Sequence, residues 1–329
     1  MPESRLTTAL TEGALSLPDG EIAVLRPPVG YDLSALRQKN VILSHSFRPD
    51  HDAWAQAGWR IAPVPPASAS AALVVVPRSK ALARGTIAAA AALAPLVIVD
   101  GLRTDGVDSL WREVRARLDR DIPSVTKAHG RLFWFTPGAA LADWALPGPQ
   151  RGPDGLYTQA GVFSADGPDP ASALLAAALP ATLPARMADL GAGAGLLSLA
   201  VLARGGVSAL DVIEAEALAL DCARLNISDD RVVFHWADAT IFDPRAPWGG
   251  VVMNPPFHDG RAGEPALGQA FIAAAARGLS PQGQLWLVAN RHLPYEATLT
   301  RLFRQVTDIG GDPRFKIINA SRPHVVRRR

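Results

Sequence analysis

The sequence predicts an α/β protein of two tandem domains, each a mostly parallel sheet with helices on both faces. Three observations lead there. Short apolar runs alternate with helical segments along the chain, the pattern of a parallel sheet with crossover helices. A stretch rich in proline and glycine, Pro147-Gly-Pro-Gln-Arg-Gly-Pro153, interrupts the chain near its middle. The two halves also repeat the same order of elements. At ~100–200 residues per domain, 329 residues suffice for two.

In the first half, strands are expected over 21–26, 41–47, 73–76, 97–100 and 131–136. Helices are expected over 52–57, 85–94 and 107–118. The stretch 147–153 excludes helix and central strand, because proline fixes φ and removes donors while glycine raises the entropy cost. It divides the chain into domains over 1–150 and 151–329. In the second half, strands are expected over 186–190, 207–214, 231–236, 250–254, 284–290 and 314–320. Helices are expected over 195–204, 215–226, 265–278 and 295–306. The last strands should include an antiparallel one.

The repeat is visible residue by residue. Ala72-Leu-Val-Val-Val-Pro-Arg-Ser-Lys80 stands where Gly250-Val-Val-Met-Asn-Pro-Pro-Phe-His258 stands later. An alanine-rich helix follows each, at 87–93 and 272–277, and a strand follows that, at 96–100 and 285–289. We read one α/β domain duplicated, with the N-terminal copy degenerate.

Several classes of protein are excluded. Hydrophobic residues make up 48% of the chain and charged residues 19%, which rules out disorder. The longest apolar run, 87–99, is broken by Pro95 and is too short to span a bilayer. Residues 1–5 lack the layout of a signal peptide. With Cys222 the only cysteine, disulfide scaffolds and cysteine-rich metal sites are out, and a reduced, cytoplasmic compartment is expected with no metal and no membrane. The net charge of +2 does not announce a nucleic-acid protein, so RNA contact would have to come from local patches. Arg78, Lys80 and Arg84 are candidates for phosphate in the first half. The basic tail, 322–329, is either a solvated end or a binding arm.

The chemistry sits in the second half. Asp189-Leu-Gly191-Ala-Gly193-Ala-Gly195 follows a strand and opens a helix, so its glycines allow a tight bend and close approach of a ligand. It is not the dinucleotide fingerprint, which needs a glycine at 196 where Leu196 stands. The preceding acid suits a ligand with an α-amino group and no pyrophosphate, for which S-adenosylmethionine is the candidate. Glu214 ends the next strand, 23 residues after Gly191, where a carboxylate can accept two ribose hydroxyls; Glu216 competes for that task. Ala237-Asp238 follows the third strand, and Asp238 is either an acceptor for the adenine amino group or a turn former. Finally, Asn254-Pro255-Pro256-Phe257 ends the fourth strand. Two prolines hold the backbone extended and remove its donors, leaving carbonyls, the Asn254 amide and a flat ring around a planar amino group.

Asp-Leu-Gly-Ala-Gly-Ala-Gly with Asn-Pro-Pro-Phe resembles the class I S-adenosylmethionine-dependent N-methyltransferases. Residues 161–167 (Gly-Val-Phe-Ser-Ala-Asp-Gly), 254–260 (Asn-Pro-Pro-Phe-His-Asp-Gly), 287–295 (Leu-Val-Ala-Asn-Arg-His-Leu-Pro-Tyr) and Arg314-Phe-Lys316 narrow the resemblance to the ribosomal RNA guanine-N2 methyltransferases of the RsmC/RlmG type. It covers 156–320 well and the first 150 residues in plan. It implies two tandem Rossmann-like methyltransferase domains, the first degenerate and without cofactor. It also implies methyl transfer to a guanine N2 amine in ribosomal RNA, free or within a ribosomal subunit, by a protein expected to act as a monomer. Catalytic roles fall on Asn254, Pro255, Pro256 and Phe257, with His258 beside them. Cofactor binding falls on Asp189, Gly191, Gly193, Gly195, Glu214, Ala237, Asp238 and Asn254. One departure is Asp169-Pro-Ala-Ser172, where the family has a glycine before the serine, in what is expected to be a loop closing over the cofactor. Methylation of adenine N6 or of a protein glutamine also uses Asn-Pro-Pro followed by an aromatic, and a cofactor-binding RNA chaperone or assembly factor is the non-catalytic alternative.

Overall fold

The computed structural model describes residues 4–163, 167, 169–256 and 265–324. The chain divides into two compact units, Met1–Gly148 and Pro149–Arg329. The first unit opens with α1 (Arg5–Thr11), β1 (Glu21–Leu25), β2 (Asn40–Ser44), α2 (Arg48–Gln56) and β3 (Ile61–Ala62). It continues with β4 (Ala71–Val75), α3 (Lys80–Leu93), β5 (Val97–Leu102), α4 (Val107–Leu118), β6 (Ser124–Lys127) and β7 (Gly130–Phe135). The second unit begins with β8 (Gln150–Arg151), β9 (Tyr157–Thr158), α5 (Pro170–Ala178), β10 (Arg186–Leu190), α6 (Leu196–Leu202) and β11 (Ala209–Glu214). Next come α7 (Ala217–Asn226), β12 (Val232–Trp236), β13 (Trp248–Met253) and α8 (Pro265–Gly278). It ends with β14 (Leu279–Asn290), α9 (Glu296–Leu302), β15 (Phe303–Gly311) and β16 (Phe315–Pro323).

The two units share one strand order. The first sheet runs β3-β2-β1-β4-β5-β7-β6 and the second β12-β11-β10-β13-β14-β16-β15. Every neighbouring pair is parallel except those made by β7 and by β16, each antiparallel to both its neighbours. The repeat read from the sequence is therefore a repeat of topology: β4, α3 and β5 hold the places of β13, α8 and β14.

The central strands of each sheet, β1 and β4 in the first and β10 and β13 in the second, are buried on both faces, which is why they read as apolar runs. Along β10, Ala188 and Leu190 join one core with Val251, Met253 and Leu287, while Met187 joins the opposite core with Leu197, Val201 and Val252. By the same alternation Asp189 falls on the Met187 face, beneath α6. In the first unit Ile22 and Val24 pack into one core and Ala23 and Leu25 into the other.

The structure corrects several expectations. The helix expected over 295–306 stops at Leu302, and residues 303–311 form a strand. Phe-Arg-Gln-Val at 303–306 fits either period, and antiparallel pairing of β15 with β16 decides for strand. β14 begins at Leu279 rather than at 284, and α1, α5, β3 and β6 add to the expected elements. The two helices carry local caps: the Ser4 hydroxyl accepts the Thr7 N–H at 3.2 Å, and Asp169 Oδ2 accepts the Ser172 N–H at 2.7 Å. The expected loop at 169–172 is thus the start of α5, where Ala171 is 2% exposed in the core, so the glycine of the family is not needed. Residues 150–151 inside the proline-rich stretch do pair, with β9. Lys80 and Arg84 both face Glu113 at 2.7 Å, so these two cations are committed within the unit. Among the described residues, no helix is long and apolar enough to cross a membrane.

Candidate active site

Chain order reverses at β10, with β11 on one side and β13 on the other. At such a reversal the loops leaving the carboxyl ends part and open a crevice. Leu190 pairs with Ile213 and with Met253, so Gly191, Glu214 and Asn254 leave three adjacent strands at one edge. An open cleft lies there, lined by Thr158, Asp169, Ser172, Gly191, Gly193 and Asn254 together with Tyr157 and Phe163.

All three glycines of the loop have left-handed backbones, φ +73° at Gly191, +57° at Gly193 and +94° at Gly195. They do different work. A Cβ on Gly195 would sit 2.7 Å from Ile227 Cδ1, and one on Gly191 would sit 3.1 Å from the Phe271 ring. A Cβ on Gly193 would meet nothing within 4 Å. Gly191 and Gly195 let the loop seat on the protein, while Gly193 leaves backbone open beside the cleft.

Glu214 holds this loop. Its Oε2 accepts the Gly193 N–H and its Oε1 accepts the Glu216 N–H, both at 2.8 Å. Burial pushes its pKa up, against the pull of these backbone donors. Glu216 instead caps α7, accepting the Leu218 N–H at 3.3 Å. Asp189 is fully buried and accepts the Ser198 hydroxyl at 2.6 Å on Oδ2, while Oδ1 has no partner. Burial first, then the neighbouring Glu214 carboxylate, raises its pKa to about 7. The Ala237 N–H donates to the Glu214 carbonyl at 3.0 Å. Asp238 Oδ1 accepts both the N–H and the hydroxyl of Thr240, at 2.8 and 2.6 Å, the turn-forming geometry. Asp189, Gly195, Glu214, Ala237 and Asp238 are not among the described residues on the cleft border; the first three shape the loop that is.

Asn254 leaves β13 half-buried. Its Nδ2 donates to Asp169 Oδ2 at 2.7 Å and to Ser172 Oγ at 2.9 Å. With its NH2 so engaged, the amide presents Oδ1 as an acceptor, and no described residue donates to that oxygen. Pro255 is buried and Pro256 exposed. Phe257 and His258 lie outside the described residues.

Three further contributions come from the fold. Asn226, at the end of α7, accepts the Tyr157 N–H at 2.6 Å and donates to the carbonyls of Tyr157 and Ala194, both at 2.9 Å. It stitches the β8–β9 hairpin to the glycine loop, so both walls of the cleft are held by one side chain. Thr158 Oγ1 borders the cleft, buried and without a partner. Asp169 and Ser172 carry a legible signal, an acid and a proline opening a helix, but nothing local links them to Asn254.

These features fit a bound S-adenosylmethionine. The cleft has an open glycine backbone at Gly193 and one buried oxygen without a partner, Thr158 Oγ1, while Asp189 Oδ1, likewise unpartnered, lies off the cleft beneath α6. Among the described residues, no group of three or more His, Cys, Asp or Glu could hold a metal ion.

Comparison with known proteins places the chain in context. The model of the methyltransferase small domain family matches residues 155–319. The ribosomal RNA small subunit methyltransferases C of Shewanella sp. MR-4 and of Shewanella oneidensis are each 30% identical over 230 residues, 67% of either chain. That of Shewanella pealeana is 30% identical over 257 residues, 74% of this chain and 75% of the relative. Among solved structures, the T. thermophilus 16S rRNA N2 G1207 methyltransferase, in complex with AdoMet and guanosine, matches with a TM-score of 0.77. The match covers 94% of this chain and 90% of that one, at 23% identity.

Proposed function

Because the chain belongs to the methyltransferase small domain family, in its ribosomal RNA small subunit methyltransferase C branch, we propose that it methylates the exocyclic N2 amine of a guanine in small-subunit ribosomal RNA. The observation that carries this reading is the Asn254 amide at the cleft border, whose NH2 is held by Asp169 and Ser172 and whose Oδ1 no described residue fills. The relatives' names supply the RNA, and the T. thermophilus N2 G1207 methyltransferase supplies the N2 position. In the same reading residues 151–329 are the catalytic domain and residues 1–150 recognise RNA. The protein acts as a monomer in the cytoplasm, on free RNA or on a ribosomal subunit.

Bound S-adenosylmethionine supplies a methyl group already activated by the positive charge on sulfur. The protein's share is position and electrostatics. Glu214, through the Gly193 N–H, and Asn226, through Ala194, hold the cofactor wall in shape. Asn254 Oδ1 and the Pro255 carbonyl accept the N–H bonds of the guanine amine, turning its lone pair toward the methyl group. As the new N–C bond would form and the sulfur–methyl bond break, leaving its electron pair on a neutral thioether, positive charge would build on N2, where these two oxygens would stabilise it before the surplus proton left to solvent. Fixing the two reactants in line is worth up to ~7–11 kcal/mol. The base must first leave any helix it occupies, at a few kcal/mol, and stacking on Phe257 would return ~1–3 kcal/mol.

Purified protein and tritiated cofactor, offered small subunits and naked small-subunit rRNA, test the proposal. Nucleoside mass spectrometry should find N2-methylguanosine, and Asn254→Ala should abolish it. N6-methyladenosine, or label in protein alone, would point to one of the other amine substrates.

A further inference from the structure

Asp169 lies 85 positions before Asn254 in the chain, yet its carboxylate meets the Asn254 amide at 2.7 Å. The same oxygen caps α5 through the Ser172 N–H, and the Ser172 hydroxyl completes the grip on Asn254 Nδ2 at 2.9 Å. A cap alone needs none of this: serine, threonine or asparagine would cap α5 as well. What aspartate adds is a formal negative charge on the NH2 side of an amide whose oxygen is the substrate acceptor.

We propose that Asp169 is a positioning residue for methyl transfer, acting through Asn254. It selects the amide orientation that turns Oδ1 toward the incoming amine, since the reverse orientation would set Oδ1 against a carboxylate. It also polarises the amide: a charged acceptor on the N–H side draws positive charge to nitrogen and leaves Oδ1 more negative, through hydrogen bonds that strengthen one another. Oδ1 then binds the amine more strongly as positive charge develops on it, so the benefit falls on the transition state. Ser172 supplies the second acceptor and prevents rotation of the NH2 group. The proposal rests on the amine-methylation reading of the site.

Two variants separate capping from positioning. Asp169→Asn retains a capping oxygen and an acceptor for Asn254 but removes the charge. Asp169→Ser retains the cap but is too short to reach the amide. Each is measured in the full-length protein for thermal midpoint, cofactor affinity, kcat and KM on small-subunit rRNA, and the side-chain 15N–1H signals of Asn254. Those signals are assigned by their loss in Asn254→Ser. In the wild type both amide protons should exchange slowly with water. Asp169→Asn should lower kcat about 5- to 20-fold with KM within threefold, and Asp169→Ser should lower it about 100-fold. Thermal midpoints should stay within 2 °C. In Asp169→Ser the Asn254 protons should exchange at least tenfold faster. Unchanged kcat in Asp169→Ser, or unchanged exchange of the Asn254 amide, overturns the proposal. Should the wild type methylate no guanine, the substrate reading fails, and the exchange measurement still decides whether Asp169 holds Asn254.

Discussion

The Gly193 N–H donates to Glu214 Oε2 at 2.8 Å, so the carboxylate at the end of one strand braces the glycine loop at the end of its neighbour. Glu214 and Glu216 are two residues apart, yet only the first touches that loop; the second caps a helix. Replacing Glu214 by Ala removes a charge-assisted bond worth ~1.5–3 kcal/mol. Cofactor affinity, measured by calorimetry, should weaken roughly 10- to 100-fold by the same figure. Glu216→Ala should leave it within about threefold while costing ~1 kcal/mol of stability through the lost cap. Equal losses of affinity in both variants would refute the assignment.

Asp189 makes stability depend on pH. Its carboxyl titrates near 7 in the folded chain, against 3.8 as its ordinary value. Between those values the native state holds a proton that the unfolded state has lost. Stability therefore falls as pH rises from about 4 to 7 and levels off above. The gap corresponds to roughly 4 kcal/mol at most. Asp189→Asn keeps an acceptor for Ser198 and abolishes the titration, so its stability relative to wild type should rise across that window in urea melts. A parallel pH profile of stability in the two proteins would remove this role from Asp189.

The glycines of the loop should fail in different ways. Gly195→Ala forces a Cβ to 2.7 Å from Ile227 at a φ of +94°, so the thermal midpoint should drop by several degrees. Gly193→Ala meets no neighbour at φ +57° and should cost only ~1 kcal/mol of stability. Its methyl group would intrude beside the cleft, and cofactor affinity should fall at least tenfold. Circular dichroism melts and binding isotherms on the same preparations separate the two.

Asn226 holds the hairpin to the loop with three hydrogen bonds. In Asn226→Ala the Tyr157 amide proton loses its acceptor and should exchange at least tenfold faster, while cofactor binding weakens. Asn226→Asp keeps that acceptor but sets a carboxylate oxygen against the carbonyls of Tyr157 and Ala194. It should protect the Tyr157 amide and still weaken binding.

Much of this is legible in the sequence because its cause is local. The sheet strands around the site show in short apolar runs, and the glycine loop and the diproline corner occupy contiguous residues whose allowed backbone angles are set by their own side chains. The repeat is legible for the same reason, since β4–α3–β5 and β13–α8–β14 carry matching patterns. The sequence misleads where local pattern is silent or double: residues 303–306 suit helix and strand alike, and α5, Pro-Ala-Ser-Ala-Leu-Leu-Ala-Ala-Ala over 170–178, carries no polar face to mark a helical period.

The sequence alone determined the α/β class, the two-domain plan and the placement of Gly191, Glu214 and Asn254 at strand ends. Only the tertiary structure decided which acid braces the loop, that Asp189 turns inward under α6, and that Asp169 and Asn226 grip segments 85 and 69 residues away. Strand identity is written in neighbours along the chain. Partnership across a sheet depends on strand order and register, which no contiguous stretch of residues encodes.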